Sequence, residues 1–404
     1  MIAMAMREKA VVVGVATEGL PVGEVHADLD ELCALLDTAG ADVVARLVQK
    51  RGAPDPATFL GRGKVSELKD LVSESGAGLV AFDADLTPAQ VHHLEEGLPE
   101  GVKVLDRAAV ILDIFALRAR TREAKLQVEL AQLEYLLPRL TRRWQHLSRQ
   151  AGGIGTRGVG ETQLEIDRRV IKRRITLLRR ELQRVAKERV VQRRRRQGFP
   201  SVALVGYTNA GKSALFEQLT RESTVVENRL FATLDPLVRR AALEGGLVVA
   251  VADTVGFIRK LPHQLVASFR ATLLEAASAD VLIHVVDVSH PRFQEHLRVG
   301  EEVLESLGVD PASCLVALNK VDLLTEEWPD PPAGRRSVFV SARTGYGLSA
   351  LRQAMTDELV KRGVVDVLRV SLQAPAELSQ ALERRDLVGR RFSGEGVEFY
   401  LRRR

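Results

Sequence analysis

Cysteine is scarce in this sequence: Cys33 and Cys314 are the only two in 404 residues. A disulfide framework and a cysteine metal cluster are therefore both excluded. No apolar run approaches the roughly 20 residues that a membrane-spanning helix needs. Near the N-terminus, the apolar run 10–15 has the length of a strand and shows no cleavable secretory pattern. We expect a protein of the reducing cytoplasm with no transmembrane segment.

The length and composition favour several domains with substantial cores. Two or three domains are expected for 404 residues, of which 46% are hydrophobic. The net charge is only +5, but residues 139–198 hold 19 Lys and Arg against 5 Asp and Glu, so the rest of the chain is net acidic. This asymmetry favours a polyanionic partner for that segment. The alternative is an arginine-rich composition on a solvated helix face.

Residues 1–118 alternate between strand-like and helical patterns, and we assign them to an N-terminal domain. Such alternation predicts a small α/β domain with a parallel sheet. The predicted strands are 10–16, 42–48, 78–82 and 102–105, and the predicted helices are 28–38, 64–73 and 88–96.

The pattern of residues 119–198 predicts a basic antiparallel helical hairpin. Leucines from Leu126 to Leu140 are spaced by four and three, and a second helical stripe runs over 161–196. Pro138 is expected to bend or end the first helix nearby. Cations crowd the other faces of the second helix, including Lys172, Arg173, Arg174, Arg179 and Arg180.

The segment that joins these two helices is basic, carries one tryptophan and has five glycines between positions 152 and 160. Glycine lets a backbone approach another backbone closely, and arginine and tryptophan stack on bases. We therefore predict RNA contacts here, with a flexible linker as the alternative. The candidate RNA-binding residues of the region are Arg142, Arg143, Trp144, Arg149, Gly155, Arg157, Gly158, Arg193, Arg194, Arg195 and Arg196.

A glycine-rich motif begins the next predicted domain, residues 199–363. The apolar run 201–205 leads into Gly206-Tyr-Thr-Asn-Ala-Gly-Lys-Ser213, and an apolar helix start follows. This context is typical of a P-loop, in which backbone N–H groups and a helix N-terminus surround phosphate oxygens. Lys212 is expected to reach the β- and γ-phosphates, and the Ser213 hydroxyl to bind Mg²⁺.

Two further elements are expected to handle the metal and the γ-phosphate. Asp253 follows an apolar strand, where a carboxylate can hold Mg²⁺ through water. The Gly256 N–H can meet the γ-phosphate, and Thr233 lies where a switch threonine would complete the Mg²⁺ shell.

The motif Asn319-Lys-Val-Asp322 predicts which nucleotide base the site binds. The Asp322 carboxylate can accept from N1–H and N2–H of guanine, a donor pair that adenine lacks, so it selects against ATP. Ser341-Ala342 adds a backbone N–H for the guanine O6. Four elements in this order, each at the end of a strand, predict a ligand site at the strand ends of an open α/β sheet.

We therefore predict a Mg²⁺-dependent GTPase whose ligands are GTP and GDP. The candidate catalytic residues are Lys212, Thr233 and Gly256, and the candidate metal ligands are Ser213, Thr233 and, through water, Asp253. The candidate GTP-binding residues are Gly206, Tyr207, Thr208, Asn209, Ala210, Gly211, Lys212, Ser213, Phe231, Ala232, Thr233, Leu234, Asp235, Asp253, Thr254, Val255, Gly256, Asn319, Lys320, Val321, Asp322, Ser341, Ala342 and Arg343.

Phe257 stands where many such enzymes place a water-orienting glutamine. A phenyl ring cannot orient water by hydrogen bonding. Slow intrinsic hydrolysis is expected, with acceleration supplied by a docked partner. A core role for Phe257 is the other interpretation, and it is compatible with the first.

A set of short motifs extends along nearly the full length of the chain. They are Phe59-Leu-Gly-Arg-Gly-Lys-Val65, Leu86-Thr-Pro-Ala-Gln90, Leu105-Asp-Arg107, Ile111-Leu-Asp-Ile-Phe-Ala116, Leu126-Gln-Val-Glu-Leu-Ala131, the run from Gly152 to Gln163, the P-loop motif above and Phe231-Ala-Thr-Leu-Asp235. In these residues the chain resembles the HflX family of ribosome-associated GTPases, and Phe257 also fits that family.

The resemblance implies binding to the large ribosomal subunit and its rRNA, and separation of stalled ribosomes into subunits, often under stress. It also implies that the loop near 152–160 enters the peptidyl-transferase region. ATP use by the N-terminal domain is a further implication, although the sequence shows no recognisable ATP motif there. We expect a cytoplasmic, ribosome-associated monomer.

Two other functions remain open at this point. One is an RNA-remodelling ATPase or GTPase that acts on rRNA or in ribosome assembly, and the other is a passive module that covers the subunit interface. Residues 364–404 form a last predicted unit, with strands at 364–372 and 397–401 around a helix at 376–383. No chemistry is assigned to this C-terminal α/β unit.

Overall fold

Helices and strands alternate along most of the chain in the computed structural model. Among its helices, none combines the length and apolar character that crossing a bilayer requires, as far as the described residues extend. The described residues form two units, one made of those up to Gln183 and the other of those from Arg184 onward. The structure describes residues 7–143, 163–196, 198–221, 230–231, 234, 237–260, 277–325, 328–374, 377, 386–392 and 396–403.

The N-terminal sheet has four parallel strands in the order β2-β1-β3-β4, which confirms the predicted parallel α/β fold. Its apolar side chains, such as Val11, Val13 and Phe82, are fully buried. The strands are β1 (Glu8–Ala16), β2 (Ala41–Lys50), β3 (Leu79–Phe82) and β4 (Lys103–Asp106), and the helices are α1 (Val22–Ala39), α2 (Arg62–Ser75), α3 (Pro88–Gly97) and α4 (Arg107–Arg118).

Helix α4 was not expected from the sequence. Eight consecutive or near-consecutive residues from Arg107 to Phe115 are buried, so the helix lacks the polar stripe that reveals a surface helix. Its start is nevertheless marked locally, because Asp106 caps it by accepting from the Ala109 N–H at 2.8 Å. The Arg107 guanidinium is buried between Glu31 and Asp83, which neutralise it.

Two long helices follow, α5 (Arg122–Arg143) and α6 (Gln163–Arg196). Ion pairs join them at Glu129–Arg174 (2.6 Å), Glu134–Arg179 (2.7 Å) and Arg122–Glu181 (3.4 Å). The predicted leucine stripes supply the apolar contact, with Leu126, Leu130 and Leu178 all buried. Helix α5 does not stop at Pro138, which lies inside it.

The second unit is built on a six-stranded sheet in the order β10-β9-β8-β5-β7-β6, in which only the edge strand β6 is antiparallel. This arrangement is the expected P-loop GTPase fold. The strands are β5 (Ser201–Gly206), β6 (Leu237–Ala242), β7 (Val248–Asp253), β8 (Val281–Asp287), β9 (Leu315–Asn319) and β10 (Ser337–Phe339), and the helices are α7 (Lys212–Thr220), α8 (Phe293–Ser306) and α9 (Leu348–Lys361).

A three-stranded antiparallel sheet completes the C-terminal part: β11 (Val365–Ser371), β12 (Leu387–Phe392) and β13 (Gly396–Arg402). Strands β11 and β13 match the two predicted strands. Strand β12 was not expected, because Gly389 and two arginines interrupt its apolar pattern. The helix predicted at 376–383 lies almost entirely outside the described residues.

The turn that connects β6 to β7 packs directly on this C-terminal sheet. A Cβ on Gly389 would lie 2.5 Å from Leu247 Cα, and one on Gly246 would lie 2.7 Å from the Arg390 carbonyl oxygen. The Ser349 hydroxyl of α9 also donates to Glu244 Oε1 at 2.9 Å. Glycine is thus required where the two backbones meet, and the C-terminal sheet is fastened to the strand pair β6–β7.

This packing predicts the effect of Gly389→Ala. The added methyl would meet backbone atoms rather than a flexible side chain, so we expect unfolding to become easier by about 1–3 kcal/mol, the usual cost of overpacking. The measurement is urea unfolding of the full chain. Gly198→Ala is the control, since a Cβ there has no atom within 4 Å. Equal stability of the two variants would contradict the close approach.

Candidate nucleotide site

The candidate site lies at the carboxyl ends of the parallel strands β5, β7 and β9, where ligands bind in open α/β sheets. Strand β5 ends at Gly206, β7 at Asp253 and β9 at Asn319. Because these ends meet at one edge of the sheet, three motifs that are far apart in sequence come together.

The loop from Gly206 to Ser213 has a backbone that only glycine permits at two positions. Gly206 has φ of 143° and Gly211 has φ of 90°. A Cβ on Gly206 would lie 2.2 Å from the Val285 carbonyl oxygen, and one on Gly211 would lie 2.2 Å from Asn319 Nδ2. Gly211 also caps α7, so the N–H groups at the start of that helix face the loop.

Lys212 is a buried cation at the centre of the site, with only 6% of its surface exposed. Its Nζ donates to the carbonyl oxygens of Gly206 (3.1 Å) and Tyr207 (2.8 Å). An ammonium has three donors, so one remains available for a phosphate oxygen. Burial lowers the pKa of Lys212 to about 8, and the nearby Asp253 carboxylate opposes that shift.

Two oxygen-bearing side chains lie next to this cation. The Ser213 hydroxyl donates to Asp253 Oδ2 at 2.7 Å, and Asp253 is 1% exposed. A hydroxyl and one carboxylate fit Mg²⁺, which binds few protein ligands and keeps water and phosphate in its shell. No cluster of three or more His, Cys, Asp and Glu with metal-site geometry occurs among the residues that the structure describes.

The segment after Asp253 lies against the phosphate loop. A Cβ on Gly256 would lie 3.0 Å from Lys212 Nζ and 2.8 Å from Thr208 Cα, so only glycine fits. The Phe257 N–H donates to the Gly206 carbonyl oxygen (2.9 Å), and the Phe257 carbonyl oxygen accepts from the Thr208 N–H (2.7 Å). Thus one short backbone ladder docks this segment on the loop.

The Phe257 ring is 3% exposed and belongs to a core cluster with Val205, Leu282 and Leu304. The core interpretation of this residue is therefore confirmed. Its ring has no hydrogen-bonding group to offer a water molecule, so the side chain adds none to the site.

Asn319 connects the phosphate loop to the third motif. Its Nδ2 donates to the Ala210 carbonyl oxygen at 2.9 Å, and its Oδ1 accepts from the Ala342 N–H at 3.0 Å. The Asp322 carboxylate lies beside that same turn, where its Oδ1 accepts from the Ser341 hydroxyl at 2.6 Å. Lys320 forms an ion pair with Asp287 at 2.7 Å. One amide therefore holds two loops in register.

The structure brings most of the candidate residues together, but not all of them. Thr254 donates to the Leu204 carbonyl oxygen at 2.7 Å and supports the sheet. Phe231 and Leu234 are buried, and the Arg343 side chain is 81% exposed, 4.0 Å from Asp322 Oδ2. Outside the described residues lie Ala232, Thr233, Asp235, Trp144, Arg149, Gly155, Arg157 and Gly158.

A second surface of interest lies on α6, where cations share one open face. Arg174 and Arg179 do not belong to it, because they pair with Glu129 and Glu134 of α5. Arg193, Arg194, Arg195 and Arg196 lie in the last turns of α6, and Arg142 and Arg143 end α5, but their side chains are outside the described set. The open face is lined by Glu165, Arg168, Arg169, Lys172, Arg173, Thr176, Leu177 and Arg180.

Sequence reasoning missed one group of contacts at the site. The Tyr207 ring stacks on His296 of α8, with centroids 3.9 Å apart and planes 3° from parallel. The Tyr207 hydroxyl accepts from the Arg259 N–H at 3.0 Å. No local pattern connects these residues, because each lies on a different element.

Comparisons with known proteins match this chain to GTP-binding proteins. Three family profiles match in succession: "GTP-binding GTPase N-terminal" over residues 26–116, "GTP-binding GTPase Middle Region" over 118–196 and "50S ribosome-binding GTPase" over 201–320.

Curated relatives match over most of their own length. The GTPase HflX of Caldanaerobacter subterraneus subsp. tengcongensis is 44% identical over 393 residues, which cover 97% of this chain and 90% of that protein. The GTPase HflX of Escherichia coli K12 is 46% identical, covering 86% and 82%. A crystal structure of a GTP-binding protein from Sulfolobus solfataricus in complex with GDP is 25% identical to this chain. The match covers 88% of this chain and 99% of that one, with a TM-score of 0.45.

The bridging role of Asn319 predicts a loss of stability in Asn319→Ala. Two buried backbone groups, the Ala210 carbonyl and the Ala342 N–H, would lose their partner, which costs about 1–3 kcal/mol each if water does not replace it. We expect a lower urea midpoint and faster hydrogen exchange at the Ala342 amide. Gln353→Ala, on the exposed face of α9, is the control. Unchanged exchange at Ala342 would show that the bridge does not hold the two loops together.

Proposed function

Because this chain belongs to the HflX family of GTPases and hydrolyses GTP to GDP and phosphate, we propose that it uses Mg²⁺ and GTP to bind the large ribosomal subunit and separate stalled ribosomes. The observation that carries the nucleotide assignment is the Asn319 bridge between the phosphate loop and the turn that holds Asp322. One buried side chain thereby joins the loop proposed to bind the phosphates to the turn proposed to bind the base.

We propose roles for the phosphate-side residues from the chemistry of each. Lys212 would stabilise the β- and γ-phosphates through its third donor, and the N–H of Gly256, a residue that lies beside Lys212 Nζ, would meet the γ-phosphate. Mg²⁺, held by Ser213, by Thr233 and through water by Asp253, would neutralise charge that develops on the phosphate oxygens. With Lys212, Thr233 and Gly256 as catalytic residues, positioning and electrostatics supply the rate enhancement.

The Asp322 carboxylate selects guanine. The Ser341 hydroxyl donates to Asp322 Oδ1, and we propose that this contact orients the carboxylate toward N1–H and N2–H of the base. Adenine leaves this acceptor without donors, so a site that hydrogen-bonds guanine through Asp322 discriminates strongly against adenine. The Ala342 N–H itself donates to Asn319 Oδ1, and we propose that the turn held in this way borders the guanine O6.

Several findings support the ribosomal partner. The profile that matches residues 201–320 is described as a 50S ribosome-binding GTPase. The open cationic face of α6 suits rRNA phosphates, which set affinity and orientation without specifying a site. We propose that the loop near 152–160 and the arginines at 142, 143, 149, 157 and 193–196 extend this contact. We propose that the protein is a monomer and that it acts on ribosomes in the cytoplasm.

Phe257 implies that the partner controls hydrolysis. Its ring is committed to the core, so no side chain at that position orients water. We propose that intrinsic turnover is slow and that the large subunit accelerates it. Nucleotide binding would order the segments around Thr233 and Gly256, and hydrolysis would release them.

Asp322→Asn should move the base preference from guanine toward xanthine. The amide donates where guanine N2–H needs an acceptor, and it pairs instead with the carbonyl of xanthine. Loss of one charged hydrogen bond should weaken GDP binding by about 1.5–3 kcal/mol. The measurement is the affinity for GDP and for xanthosine diphosphate, with Asp357→Asn on the surface of α9 as the matched control. Tight GDP binding by the variant would refute the assignment of Asp322.

Mutations of the α6 cations and of the loop 152–160 should have different effects on the ribosome. Lys172→Gln with Arg173→Gln should weaken ribosome binding and flatten its salt dependence by roughly 0.7–0.9 log–log units per lost phosphate contact. Replacing 152–160 by a short Gly-Ser bridge should leave nucleotide binding and much of the salt-sensitive affinity in place, yet abolish subunit separation.

Sedimentation of intact ribosomes mixed with each variant and GTP, GDP or a non-hydrolysable analogue measures both effects. Arg369→Gln, which removes one exposed cation from the C-terminal sheet, is the control for a loss of positive charge away from α6. Separation that proceeds equally well with GDP would favour a passive module. Separation by the loop-replaced protein would reduce 152–160 to a linker.

A further inference from the structure

Three elements meet at the Tyr207 side chain, which is 4% exposed. The phosphate loop supplies Tyr207 itself, helix α8 supplies His296, and the segment after Gly256 supplies Arg259. The Tyr207 ring stacks on the His296 ring, with centroids 3.9 Å apart. The His290 ring also lies against His296, with centroids 4.3 Å apart. The ring is therefore confined, and its hydroxyl is presented in one direction.

That hydroxyl accepts a hydrogen bond from the Arg259 backbone N–H at 3.0 Å. The Arg259 guanidinium in turn pairs with Glu295 of α8 at 2.8 Å, and both side chains are mostly buried, with 15% and 24% exposed. Arg259 therefore has two contacts: its backbone N–H donates to Tyr207 of the phosphate loop, and its side chain pairs with Glu295 of α8. A partly buried ion pair of this kind is less screened by salt than a surface pair.

The segment from Gly256 to Arg259 is consequently docked at two points. Phe257 is fixed to Gly206 and Thr208 by the backbone ladder, and Arg259 is fixed to Tyr207 and Glu295. Gly256 immediately precedes Phe257, the first of these points, and a Cβ on Gly256 would lie 3.0 Å from Lys212 Nζ. A phosphate oxygen held by Lys212 can meet the Gly256 N–H only while this segment stays docked.

We propose that Tyr207, Arg259 and Glu295 form a latch that positions the Gly256 N–H for the γ-phosphate, and that this latch favours GTP over GDP and supports hydrolysis. It rests on the proposed roles of Lys212 and Gly256. The three are positioning residues, because they act through the backbone of the docked segment rather than on the phosphate.

The physical reason lies in what Phe257 cannot do. Without a glutamine at that position, transition-state stabilisation depends on donors that are already in place before the reaction begins. A loose segment would lose conformational freedom each time GTP bound, and that entropy cost would subtract from the affinity for the γ-phosphate alone. GDP has no γ-phosphate, so its binding does not depend on the latch.

The test compares the affinity of the full chain for GDP and for a non-hydrolysable GTP analogue. Tyr207→Phe keeps the stacked ring and removes the acceptor, and Glu295→Gln keeps the size and removes the charge. For each variant we expect the preference for the analogue over GDP to fall about 3–10-fold, the range of one ordinary hydrogen bond. The matched control is Glu302→Gln on the same helix, whose carboxylate lies 3.9 Å from Arg298 on the surface.

Two more measurements separate positioning from a merely structural role. Hydrogen exchange at the Arg259 amide should rise in Tyr207→Phe, and kcat for GTP should fall more than KM changes. A swap that combines Arg259→Glu with Glu295→Arg should recover part of the preference that either single change loses. If Tyr207→Phe and Glu295→Gln both keep the analogue-to-GDP preference within twofold of wild type, the latch is overturned.

Failure of the latch can be told apart from failure of the nucleotide site. Lys212→Ala should lose affinity for both nucleotides if the site assignment is right, whatever the latch variants do. Nucleotide binding that survives Lys212→Ala unchanged would refute the site, whereas lost binding together with unaltered latch variants would refute the latch alone.

Discussion

The nucleotide site depends on the burial of one cation, the ammonium of Lys212. Moving a charge out of water is costly, and here two loop carbonyl oxygens and the Asp253 carboxylate offset part of that cost. An anion that reaches the third donor gains from the low dielectric around it. The same crowding explains the glycines: at 206, 211 and 256 the backbone passes so close to its neighbours that a Cβ would collide with them.

Around this cation, backbone and side-chain contacts join elements that are distant in sequence. Asn319 connects the phosphate loop to the turn beside Asp322. Phe257 and Arg259 connect the same loop to the segment after Asp253. At the opposite end of β6 and β7, the turn at 244–246 is fastened to the C-terminal sheet. The strand pair β6–β7 therefore has the C-terminal sheet at one end and the nucleotide site at the other.

The cations of α6 are divided between ion pairs with α5 and an open face. Arg174 and Arg179 are committed to carboxylates on α5, so they contribute to the packing of the two helices. Lys172, Arg173 and Arg180 lie on the open face instead. An excess of positive charge confined to one segment of an otherwise acidic chain orients the protein toward a polyanion over long distances.

The sequence by itself determined the elements whose chemistry is local. A strand followed by glycines, lysine and serine predicts the loop at 206–213, and the strands that end at Asp253 and Asn319 predict the edge of the sheet at which these residues lie. Alternating strands and helices likewise predict the parallel sheets. Only the tertiary structure decided which cations of α6 pair with α5 and that Phe257 belongs to the core. It also decided that residues 387–392 form a strand, and that the Tyr207 hydroxyl accepts a hydrogen bond from the Arg259 N–H, 52 positions away. These outcomes depend on contacts between separate elements, and periodicity within one segment carries no information about which distant side chain will face it.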